Sequence, residues 1–155
     1  MKSVYKVLSY LIAVGVVVQA MLIVFAIAGL FKWIDGGGEL DKAVEVDRAP
    51  FPEAVGLNLH AIAGVIVIPA IALLLLICSF FAKIPGGIKW AGLVLLFVVV
   101  QDILGFSGLA APALGAAHGL NALLLFSAAI YTAGWVGRRA ASPVAEPQER
   151  VATSA

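Results

Sequence analysis

Four stretches of this chain are each about 18 or more residues long and nearly free of charge, the length that crosses a hydrocarbon core of about 30 Å. They run from about Val7 to Leu30, Leu59 to Ala82, Ile88 to Phe106 and Ala116 to Val136. Inside a bilayer the backbone finds no water to bond with, so each stretch must be a helix. The expected fold is all-α, a four-transmembrane-helix bundle. Hydrophobic residues make up 63% of the chain and charged residues 12%, against roughly 45–50% apolar content in a soluble domain. The expected partner is the lipid bilayer. No phosphate loop, nucleophile triad or basic patch is present, and nucleic acid is not expected.

The first apolar stretch follows Lys2 and Lys6, as in a secretory signal. It exceeds the roughly 7–15 apolar residues of such a signal, so it is expected to stay as a helix. Lys83-Ile84-Pro85-Gly86-Gly87 breaks any helix and predicts a tight hairpin between the second and third spans. Ser107 to Gly115, with Pro112, makes the other short turn, and residues 31–58 form a long loop. The membrane domain is expected over residues 1–139, and the polar segment 140–155 reads as a disordered tail. Lys2, Lys6, Lys83, Lys89, Arg138 and Arg139 mark one side, whereas Asp35, Glu39, Asp41, Glu45, Asp47 and Glu53 dominate the long loop. Basic flanks are retained inside, which predicts a multi-pass protein of the cell membrane with both termini cytoplasmic. Tyr5, Tyr10, Trp90, Tyr131 and Trp135 then fall at the inner boundary and Phe31 and Trp33 at the outer.

An internal echo suggests a duplicated helical hairpin: Val16-Val17-Val18-Gln19 recurs as Val98-Val99-Val100-Gln101, and each even-numbered span begins near a histidine. These are the two histidines of the chain, His60 and His118. Lys83 lies 23 residues after His60 and Arg138 lies 20 after His118, a difference in depth of roughly 4–5 Å that helix tilt absorbs. Two imidazoles facing each other at one level are what a bis-histidine haem requires. Ionisable groups within a membrane are costly and default to functional hypotheses.

Gly56 and Gly64 lie four residues before and after His60, on its face of the helix. Gly115 lies three residues before His118 and Ala122 four after it. Small residues there leave room for a porphyrin; equally, they permit close helix packing. An iron-bound imidazole donates its Nδ1 proton to an acceptor, and the nearest on the same helices are the carbonyls of Gly56 and Leu114. Gln19 and Gln101 read as interhelical hydrogen bonds. Asp102 reads as an interfacial residue or a partner of the site, and Asn121 and Ser127 are the other polar residues within spans. Lys42 and Arg48 are candidate cations for haem propionates. Cys78, the single cysteine, reads as a core or lipid-facing residue. Zinc is disfavoured, since no second pair of ligands lies at fitting depth.

The segments Leu59-His60-Ala61-Ile62-Ala63-Gly64, Gln101-Asp102-Ile103-Leu104-Gly105 and Ala117-His118-Gly119-Leu120-Asn121-Ala122-Leu123-Leu124-Leu125-Phe126 resemble one four-helix half of the haem A synthase family. The chain is also similar to small uncharacterised four-helix membrane proteins. In the haem A synthase family the second and fourth helices of each half carry a histidine near the extracytoplasmic side, and the pair lies on a haem. The resemblance implies that His60 and His118 are axial ligands of one haem. It does not extend to the reaction, because the full enzyme has eight spans and its catalytic half places a carboxylate where this chain has Leu57. The cysteine pair of the outer loop is absent as well.

The sequence therefore points to a membrane protein with one bis-histidine haem b near the outer leaflet, held by His60, His118, Gly56 and Gly64, for electron transfer or haem handling. The alternative is a cofactor-free accessory or structural subunit that docks on a membrane protein partner or on its own copy. A third reading is a small carrier or quinone-binding protein that uses Asp102.

Overall fold

A run of valine, leucine, isoleucine and alanine without an internal proline gives the first helix, α1 (Lys2–Asp35). Its 34 residues reach about 50 Å, well past a hydrocarbon core of about 30 Å. It continues through Lys2, Lys6 and Lys32, where the apolar run has already ended, because interfacial lysines extend their charge to water without breaking the helix. The computed structural model describes residues 1–39, 50–108 and 110–140, with side chains described to residue 136. Residues 40–49 of the long loop and the tail from residue 141 lie outside the described residues.

The second crossing opens on a 3-10 turn at Pro52–Ala54, with a proline in a position that needs no backbone donor. It continues through α2 (Val55–Ile62), a π-helical segment at Ala63–Val67 and α3 (Ile68–Ala82). Pro69 supplies a reason for the π segment. Its nitrogen cannot donate and its ring crowds the carbonyl four residues earlier, at Val65, so the backbone widens just upstream. Lys83, in the left-handed region at φ 50°, stops α3, and Gly86 at φ 76° completes the turn. The third crossing is α4 (Gly87–Gly108) and the fourth α5 (Pro112–Ala140). All four crossings are long and apolar enough to span a membrane, and this is a multi-pass membrane protein. Each helix outruns its expected span, since apolar runs stop at the first polar residue and helices do not.

Neighbours in the bundle follow a ring: α1 packs on α2–α3 and α5, and α4 packs on α3 and α5. The second and fourth crossings therefore lie on a diagonal, as do the first and third. A twofold axis along the bundle would exchange α1 with α4 and α2–α3 with α5, so the echo between the two hairpins has a counterpart in the packing. Tyr5, Ile12, Leu75, Val94, Val98 and Leu125 fill the centre, interleaved with Ala13, Ala72, Ala91, Ala129 and Ala133. Such small residues let helices approach closely, which in lipid gives the dispersion contacts that replace a hydrophobic drive. Val24, Ile66, Phe106 and Leu123 face outward.

Both ends of the bundle are tied by aromatic residues. At one, the buried Tyr5 hydroxyl donates to the Gly87 carbonyl at 2.9 Å and Trp135 Nε1 to the Pro85 carbonyl at 2.7 Å. Trp90 stands 4.4 Å from Tyr131 by ring centres beside them. At the other, Trp33 stacks on Phe51 at 5.9 Å and Lys32 pairs with Glu53 at 3.4 Å. The expected aromatic groups thus gather at the two ends, with the histidines toward the Trp33 end.

Candidate histidine site at the bundle axis

Because α2 and α5 occupy the diagonal, side chains on their inner faces meet across the bundle axis. His60 and His118 do so: their ring centres are 6.2 Å apart and their planes inclined at 60°. Each ring is partly buried. His60 Nδ1 lies 3.2 Å from the Gln19 carbonyl oxygen on α1, and His118 Nδ1 lies 3.0 Å from the Gln101 carbonyl oxygen on α4. A carbonyl can only accept, so in both rings Nδ1 carries the proton and Nε2 is left with its lone pair. The two glutamines are those that end the repeated Val-Val-Val-Gln segments, so each hairpin makes the same bond from its even helix to its odd one.

The acceptors differ from the expected carbonyls of Gly56 and Leu114. A carbonyl one turn earlier runs parallel to the helix axis and takes the histidine's own backbone N–H. The ring, reaching away from its helix, meets the neighbouring helix instead. Gln19 and Gln101 carbonyls retain a second lone pair for that purpose.

Around Nε2 the hairpins part. The Gln101 side-chain amide lies 3.1 Å from His118 Nε2, and Gln101 Oε1 accepts from Asn121 Nδ2 at 2.6 Å. Asn121 is buried and also donates to the Phe97 carbonyl at 2.9 Å. Turning the Gln101 amide over would set its oxygen against the bare Nε2 and its NH2 against that of Asn121, so only this orientation satisfies the group. In the first hairpin the residue three after the histidine is Ala63, where the second has Asn121. Gln19 Oε1 is correspondingly buried without a hydrogen-bond partner among the described residues. His60 Nε2 has no hydrogen-bond partner among the described residues. The role of Asn121 was readable only in part: its offset of three from His118 places it on the same face, but nothing in the sequence names Gln101 as its partner.

The glycines divide between two jobs. Gly56, expected to leave room for a porphyrin, is filled by α1: a Cβ there would lie 2.5 Å from the Leu22 carbonyl oxygen and 3.2 Å from Ala26 Cβ. At the turn between α4 and α5 the tight position is Gly108, where a Cβ would lie 2.9 Å from Gly115 Cα, whereas a Cβ on Gly115 itself would meet Gly108 at an ordinary contact of 3.8 Å. These are helix-packing positions. Gly64 has no atom within 4 Å of an added Cβ and borders open space. Gly105, not singled out from the sequence, is where His118 rests: a Cβ would stand 3.1 Å from its Cε1 and 3.2 Å from its Nδ1.

Asp102 is partly buried, makes no hydrogen bond among the described residues and lies within electrostatic reach of His118. Cys78 is buried elsewhere, its sulfur 3.7 Å from the Met1 carbonyl. Ser127 bonds back to the Leu123 carbonyl of its own helix at 2.8 Å. Lys42 and Arg48 fall outside the described residues. No group of three or more His, Cys, Asp or Glu that could hold a metal occurs among the described residues, which leaves the histidines as a pair. No family model, curated protein or solved structure matches this chain.

Proposed function

We propose that His60 and His118 hold one haem b between them, as in the four-helix half of haem A synthase that the sequence resembles, and that the protein transfers electrons or handles haem. The observation that carries this reading is the pair of Nδ1–carbonyl bonds, which orients both rings and leaves Nε2 of each unprotonated, open on His60 and accepting the Gln101 amide on His118. Two imidazoles bound to one metal through bonds of about 2 Å have ring centres about 6 Å apart. The 6.2 Å separation fits that arrangement. Gly64 offers space beside His60 for the edge of a flat macrocycle. On binding, the Gln101 amide must give up His118 Nε2. Haem ligated in this way supplies one-electron chemistry between ferric and ferrous iron; the protein contributes the two nitrogens, their orientation and an apolar surround. The basic residues at the opposite end of the bundle support a cytoplasmic placement of both termini and an outer-leaflet placement of the site.

The test is an absorption spectrum of the detergent-purified protein, oxidised and then reduced. Sharp reduced bands of a low-spin b haem are expected, and protein from a haem-replete membrane that carries none would end the reading. In that event the closed network of His118, Gln101 and Asn121, satisfied without any cofactor, favours the accessory-subunit reading, in which these side chains join α4 to α5.

A further inference from the structure

The two histidines are not equivalent. His118 Nε2 already accepts the Gln101 amide at 3.1 Å, and Asn121 holds that amide in place through a 2.6 Å bond to Gln101 Oε1. The matching amide in the first hairpin has no such holder, because Ala63 stands where Asn121 stands in the second. Its oxygen, Gln19 Oε1, is buried and has no hydrogen-bond partner among the described residues. An imidazole nitrogen has a single in-plane lone pair, so His118 Nε2 either binds a metal or accepts Gln101, never both.

Resting on the haem reading above, we infer that His60 is the fixed ligand and His118 an exchangeable one, parked on the Gln101–Asn121 pair while a small neutral diatomic ligand such as carbon monoxide occupies its place. The bond from Nδ1 to the Gln101 carbonyl, 3.0 Å long, belongs to both states and serves as the pivot. Gly105 leaves the room the parked ring occupies, since a Cβ there would stand 3.1 Å from Cε1 and 3.2 Å from Nδ1. The exchange balances. His118 Nε2 would leave a haem iron with its lone pair, that lone pair would accept the Gln101 N–H, and the incoming ligand's own lone pair would fill the vacated position. No electron or proton is transferred.

The test is a carbon monoxide titration of the reduced, haem-loaded protein, followed by absorption. Wild type is expected to bind carbon monoxide, and His118→Ala to bind it more tightly because the competing imidazole is gone. Asn121→Ala and Gln101→Leu remove the parking site and keep the Gln101 backbone carbonyl. Both should weaken carbon monoxide binding by about fivefold, the fold-change that corresponds to one hydrogen bond's net worth. Gln101→Leu carries this arm if Asn121→Ala does not accumulate. Haem-free protein gives an independent readout: the nitrogen-15 resonance of His118 Nε2 should show a hydrogen-bonded shift that His60 Nε2 lacks.

Ferrous wild type and His118→Ala that both fail to bind carbon monoxide, parking-site variants that bind it as wild type does, or identical Nε2 resonances would each overturn the inference. Wild type that purifies without haem defeats the haem reading itself. Haem-loaded protein that ignores carbon monoxide defeats only the exchange.

Discussion

Gln101 engages both nitrogens of His118, its backbone carbonyl oxygen 3.0 Å from Nδ1 and its side-chain amide 3.1 Å from Nε2. Gln19 meets His60 through the carbonyl alone, at 3.2 Å. The chain thus has one histidine locked by two bonds and one held by a single bond, on a bundle whose four crossings follow a ring.

That difference predicts unequal stability effects in haem-free protein. An interhelical hydrogen bond in a membrane protein contributes about 0.6 kcal/mol on average and up to about 2. His60→Ala should cost near the lower figure. His118→Ala removes two bonds and strands the Gln101 amide, so it should cost roughly 1–3 kcal/mol. Denaturation in mixed micelles of haem-depleted wild type and both variants checks this, and equal losses would show that the Gln101 amide contributes nothing.

Tyr5→Phe probes the opposite end of the bundle. The Tyr5 side chain is fully buried and its hydroxyl joins the start of α1 to the first residue of α4. Deleting the donor leaves packing almost unchanged and should cost about 1 kcal/mol. The same micelle denaturation reads it, and haem content should stay at the wild-type level because the histidines lie at the far end.

The helices were legible because lipid allows the backbone so few choices: an uncharged run of sufficient length must be helical, and Pro85 with Gly86 and Gly87 must interrupt it. Their ends were not, since Lys2, Lys6 and Lys32 sit on helix that continues into the interface. The histidine pair was legible from residue type and depth alone. Its second layer was not, because the acceptors come from neighbouring helices, and the phase of one helix against another is set by packing that a single sequence does not encode locally. Gly56 illustrates the same limit. Its spacing from His60 left both a cofactor and a helix seam open, the seam being the readier reading, and the contact that places Gly56 in a seam comes from Leu22, 34 residues earlier in the chain. The long-loop cations Lys42 and Arg48 remain sequence readings, outside the described residues.

The placement of basic residues predicts membrane topology that labelling can read. A cysteine at Ala43 should react with an impermeant reagent in intact cells, and one at Ser142 should react only after the membrane is opened. The buried Cys78 should contribute little background. The reverse pattern would put the histidines at the inner leaflet and overturn the outer placement of the site.

Gly56 and Gly64, equidistant in sequence from His60, should respond in opposite ways to the same enlargement. At Gly56 the first added carbon meets the Leu22 carbonyl oxygen at 2.5 Å, a backbone atom that moves only if α1 moves. Gly56→Leu should therefore lower stability by roughly 1–3 kcal/mol or more, as overpacking does, whether or not haem is present. At Gly64 no atom stands within 4 Å of the new carbon, so Gly64→Leu should insert and fold as wild type does when haem-free. Its side chain would instead take the space beside His60 in which the macrocycle edge is proposed to lie, and haem content per protein should fall. Measuring stability and haem content on both variants separates the two roles. Gly64→Leu protein that keeps a full complement of haem would place the macrocycle elsewhere on the His60–His118 pair, and Gly56→Leu protein of wild-type stability would contradict the close approach of α2 to α1.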